Sequence, residues 1–124
     1  MIDQLTIDQH NCIENVRCYI RNHLDESLSR EVLAEIAGFS VPHLHRIFAA
    51  EMGVSISAYV RQLRMKRAGQ KLRMGAIDIT EVALAAGYQT HAAFGKAFKN
   101  HFGLSPSDFR QLDCRTATEL LRKG

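Results

Sequence analysis

The chain has 124 residues, 46% of them hydrophobic and 23% charged, with a formal net charge of +3. This is the size of one domain or of two small lobes sharing a long element, and the balance excludes a disordered chain. Three cysteines, no apolar run near the ~18 residues of a membrane span, and a start without the basic and apolar regions of a secretory signal lead us to expect a reducing cytoplasm.

The first predicted helix runs from Asp8 to about Leu24. Ile13, Val16, Ile20 and Leu24 recur at spacings of three and four, and Asp8 is a suitable N-cap. Ser29 caps a second helix over Arg30 to Ala37, with Glu31 in its first turn, where the helix dipole favours an acid. Gly38 supplies the positive φ of a sharp turn. Ser40 caps a third helix, Val41 to Met52. Pro42 fits its first turn, where a missing N–H costs nothing. Leu44, Ile47 and Phe48 form its buried stripe, which leaves His43, His45, Arg46 and Ala50 on other faces, and Gly53 stops it.

Ser55 opens the longest pattern, Ile56 to about Arg73, with Ile56, Tyr59, Val60, Leu63, Ala68 and Leu72 among its apolar positions. Such a helix is ~27 Å long and would carry the chain from a first lobe to a second. Met74 and Gly75 end it. Asp78 and Glu81 make a capping-box-like start for a fifth helix ending at Ala86. After the Gly87 turn, Thr90 caps a sixth helix ending near His101, with Phe94, Ala97, Phe98 and Phe102 inward. Ser105-Pro106-Ser107-Asp108 starts a seventh, through about Leu112. The tail from Arg115 to Gly124 has weak helical character and no evident packing partner.

Two of these stretches are the same pattern. Leu33, Ile36, Ala37, Gly38 and Phe39 fall on Val82, Ala85, Ala86, Gly87 and Tyr88 at an offset of 49; Phe48, Gly53, Val54, Ser55, Ser57 and Tyr59 fall on Phe98, Gly103, Leu104, Ser105, Ser107 and Phe109 at an offset of 50. A short helix, a glycine turn and a second helix make the helix-turn-helix plan, in which the second helix enters the DNA major groove. The expected organisation is a first lobe over 1–55, a linking helix over 56–74, a second lobe over 75–113 and a tail over 114–124 that could lead to an effector domain.

Charge supports a polyanion partner. Residues 1–51 hold four Arg/Lys and eight Asp/Glu, a net of −4, while residues 52–124 hold twelve and five, a net of +7. Met52 to Ile77 contains no acid but carries Arg61, Arg64, Lys66, Arg67, Lys71 and Arg73. Alone, a basic run reads as a solvated helix face; beside a duplicated reading motif it suits phosphates. Base-reading residues lie on the exposed start of the second helix of each motif. The first copy offers Pro42, His43, His45 and Arg46, of which Arg46 can bond guanine bidentately. The second offers His91, Ala92, Gly95 and Lys96, a set with few directional groups.

From Ile13 to Gln111 the sequence resembles the DNA-binding region of the AraC/XylS family of bacterial transcription regulators. The resemblance is carried by Ala37-Gly-Phe-Ser-x-x-x-Leu44-x-Arg46-x-Phe48 and by Gly87-Tyr-x-x-x-x-x-Phe94-x-Lys96-x-Phe98-Lys99-x-x-Phe102-Gly103-x-Ser105-Pro106. It implies an all-α fold of seven helices in two lobes joined by the fourth, with the third and sixth as readers in successive major grooves. It also implies phosphate contacts from Arg61 and Arg110, and we place Ser40, Thr90 and Lys99 with them. The expected activity is sequence-specific binding of double-stranded DNA by a transcription activator. One chain would act on each site unless a missing domain dimerises it, and RNA polymerase is a further candidate partner.

Other chemistry has little support. His10 and Cys12, or His43 and His45, stand two apart and share no helical face as i,i+4 ligands would. No phosphate-cradling glycine loop or convergent carboxylate pair appears, so neither enzyme activity nor a metal or other cofactor is expected. The rival reading is a protein-interaction module using the basic helix and tail.

Overall fold

The computed structural model describes residues 7–75 and 78–123. Eight helices and no strand occur among them: α1 (Ile7–Asn22), α2 (Arg30–Ala37), α3 (Val41–Met52), α4 (Ile56–Arg73), α5 (Ile79–Ala85), α6 (His91–Phe102), α7 (Pro106–Arg110) and α8 (Cys114–Lys123). Contacts divide the chain into two units, Met1–Val60 and Arg61–Gly124.

The first unit is built on an aliphatic stripe. Ile13, Val16 and Ile20 of α1 are fully buried with Leu33 and Ala37 of α2 and with Leu44 and Phe48 of α3. Tyr59, in the first turn of α4, meets Phe48 edge-on at 5.4 Å and accepts a hydrogen bond from Arg17 Nε at 3.3 Å. Asp8 lies inside the first turn of α1 instead of capping it, because the helix starts one residue earlier, at Ile7. The sharp α2–α3 turn is closed by Gly38 at φ 76°, with Phe39 N–H bonded to Ala34 C=O at 3.0 Å; this six-to-one bond satisfies a carbonyl that the helix end leaves open.

The second unit is organised around phenylalanine. Phe98 of α6 is wholly buried and lies 5.5 Å from Phe94, 4.6 Å from Phe102 and 5.3 Å from Phe109 of α7. Met65, Ala68 and Leu72 of α4 and Val82, Ala83 and Ala86 complete that core. Two arginines of the basic run hold the unit together. Arg67 Nη2 donates to Ala85 C=O at 3.2 Å, at the end of α5. Arg73 Nη1 donates to the carbonyls of Arg110, at 2.8 Å, and of Leu112.

The tail, expected to have weak helical character and no packing partner, forms the helix α8 (Cys114–Lys123) and packs on the second unit. α7 ends at Arg110, two residues before the expected Leu112, in tight bonds from Gln111 N to Asp108 O and from Leu112 N to Phe109 O. Asp113 then accepts from Thr116 N at 3.3 Å and starts α8. Ala117 of α8 is buried, Leu120 and Leu121 pack on the unit's core, and Leu121 lies over Gly69 of α4. The stripe Ala117, Leu120, Leu121 has helical spacing, but its partner surface lies some fifty residues away and is not visible locally.

Candidate nucleic-acid interface

Both α3 and α6 are fixed from their starts. The Ser40 hydroxyl oxygen accepts from His43 N at 3.3 Å, and the Thr90 hydroxyl oxygen from Ala93 N at 3.0 Å. Each cap satisfies one open N–H of the first turn and holds that turn against its own unit. The opposite ends stop at Gly53 and Gly103.

Leu44 and Phe48 turn inward from α3, so Pro42, His45, Arg46 and Ala49, three and four apart, form its exposed face. His43 departs from this set: it is half-buried, with its ring 4.6 Å from that of Phe39. Arg46 is the only Lys or Arg on α3, and its only acid, Glu51, stands at the far end, bonded to His10 Nδ1 at 2.7 Å. On α6, Phe94, Phe98 and Phe102 turn inward, so Ala92, Gly95, Lys96 and Lys99 share one face, with His91 exposed at the helix start. Gly95 is half-buried and the other three are exposed. Asn100, which our sequence reading did not include, is exposed beside them; its signal was the four-residue step from Lys96.

Among the residues assigned to phosphates, Ser40, Arg61, Thr90 and Lys99 are exposed, and Arg110 is half-buried at the end of α7. His101, also outside the earlier reading, is half-buried near Arg61. Burial first, and the Arg61 charge second, hold its imidazole below the ordinary histidine range. Its ring meets Phe102 edge-on at 4.6 Å, and its buried Nε2 has no hydrogen-bond partner.

The two faces sit in different fields. No charged residue lies between Met52 and Val60, so the first unit keeps four Arg/Lys against eight Asp/Glu, and the second has twelve against five. α6 carries Lys96 and Lys99 and no acid. Among the described residues, no group of three or more His, Cys, Asp or Glu could hold a metal ion, and no helix is long and apolar enough to cross a membrane.

Comparison with known proteins agrees with this arrangement. A family model described as a helix-turn-helix domain matches residues 33–112. The Right origin-binding protein of Escherichia coli K12 is 33% identical over 105 residues, which cover 85% of this chain and 36% of that protein. The chain thus spans about a third of that relative. The HTH-type transcriptional activator AarP of Providencia stuartii is 29% identical over 105 residues, covering 85% of this chain and 78% of AarP. Among solved structures, the DNA-binding domain of the global transcriptional factor AdpA, in complex with a target DNA, matches with a TM-score of 0.71 at 26% identity, covering 79% of this chain and 88% of that one.

Proposed function

The chain belongs to the AraC/XylS family of helix-turn-helix DNA-binding transcription regulators, and from that premise we propose that α3 and α6 are its two readers, serving a cytoplasmic activator that binds one directional site per chain. The observation that carries this is the pairing in each unit of a capped helix whose apolar side is locked in the core with an exposed face of the opposite helical phase. AarP, named an activator, and the DNA complex of AdpA support the reading. Arg46 is the direct reader, able to give guanine two parallel hydrogen bonds. Lys99 and Arg61 neutralise phosphates, Lys96, grouped above with the base readers, is reassigned to join them, and the Ser40 and Thr90 hydroxyls can donate to them. RNA polymerase is the further partner that an activator requires.

The test is the salt dependence of affinity for a duplex selected from random DNA. Each neutralised phosphate adds about −0.9 to the slope of log K against log salt. A steep negative slope is expected. A shallow slope, with retained binding to a protein partner through the basic helix, would instead support the interaction-module reading.

A further inference from the structure

Seven glycines lie among the described residues, and six have a reason to be glycine inside the chain. Gly38, Gly53, Gly75, Gly87 and Gly103 have φ between 76° and 95°, where a Cβ is strained. Gly69 lies beneath α8: a Cβ there would stand 2.7 Å from Leu121 Cδ2 and 3.3 Å from Phe109 Cε2.

Gly95 has neither reason. Its φ is not positive, and a Cβ built on it meets no atom within 4 Å. It is the fifth residue of the twelve-residue α6, a helix interior where glycine is less stable than alanine because it gives up more backbone freedom. Nothing among the described residues offsets that cost. In the tandem repeat, Gly95 stands where the first copy has His45, on the exposed face of the reading helix, and it shares its own face with Ala92, Lys96 and Lys99.

We infer that Gly95 sets how deeply α6 seats on DNA: without a side chain there, the helix backbone itself comes into van der Waals contact with the duplex while Lys96 and Lys99 reach phosphates. The inference rests on the DNA-binding reading above and deepens it. A contact of this kind selects duplex shape and the apolar edges of bases rather than a donor and acceptor pattern. Filling the gap must then help the free protein and harm the complex, an opposition that neither a structural glycine nor an indifferent surface position would give.

The experiment uses Gly95→Ala and Gly95→Leu in the full chain, measuring thermal melting and affinity for the duplex that the wild-type chain selects. Both variants are expected to melt higher, by roughly a few degrees. Their affinities should fall, by roughly tenfold or more for Gly95→Leu and less for Gly95→Ala, because added methylenes at a close contact must push the surfaces apart. Variants that melt lower than the wild type would assign the glycine to the fold and overturn the inference. Variants that melt higher and bind as tightly would overturn it too, while leaving DNA binding intact. A wild-type chain that selects no duplex would remove the proposed function, and this inference with it.

Discussion

The two units share one motif and present it with different faces and charge. The first presents His45 and Arg46 from a helix in a net acidic unit, and the second presents Ala92, Gly95 and Lys96 from a helix in a strongly basic one. Directional side chains discriminate bases, and net positive charge supplies affinity that is blind to sequence. Under the proposed function the first unit would specify and the second anchor, with less sequence information expected in the half of the site beneath α6.

The largest expected effect tests the cores. Phe98 is the hub of four phenylalanines, and Phe98→Ala should destabilise the second unit by ~3–5 kcal/mol, seen as lost amide protection in α6 and α7. Preserved protection would show that the cluster is not what holds that unit together. Next comes the contrast between reading and anchoring. Arg46→Ala should cost ~1–3 kcal/mol on the selected site and relax preference at one position, whereas Lys96→Ala with Lys99→Ala should weaken all sequences alike and flatten the salt slope by about two phosphate contacts. A uniform loss from Arg46→Ala would erase the distinction between the units. Removing the α8 cap with Asp113→Ala should lower the melting temperature by roughly a few degrees.

The smallest effect is a pH dependence confined to the second unit. Burial keeps the His101 imidazole less basic than in the unfolded chain, so the unfolded state binds its proton first. Its contribution to stability is present above the ordinary histidine range and is lost as pH falls through it. Denaturant midpoints at pH 7.5 and pH 5.5 should differ less in His101→Gln than in the wild type; an unchanged difference would remove His101 as the cause.

Most of the framework was legible because its signals are local. Ser29, Ser40, Thr90 and Ser105 each accept an N–H of the first turn, as their place before an apolar pattern implied, and Gly38 and Gly87 take the turn conformation that their spacing required. What was missed depended on distant partners. α8 packs on a core and on Gly69 of α4, some fifty residues earlier in the chain. Arg67 and Arg73 belong to a run that reads as a phosphate-facing surface, but they spend their donors on the carbonyls of Ala85, Arg110 and Leu112. A list of charges cannot separate a clamp from a contact.

The central claim is that one chain supplies two unlike readers. A dimer of a single reader mirrors its two-fold axis in a palindrome, whereas a tandem pair of different readers has no such axis. Sedimentation of the chain on its selected duplex measures this directly. The account predicts one chain on a directional site of about 20 base pairs, two turns of DNA; two chains on an inverted repeat would contradict it.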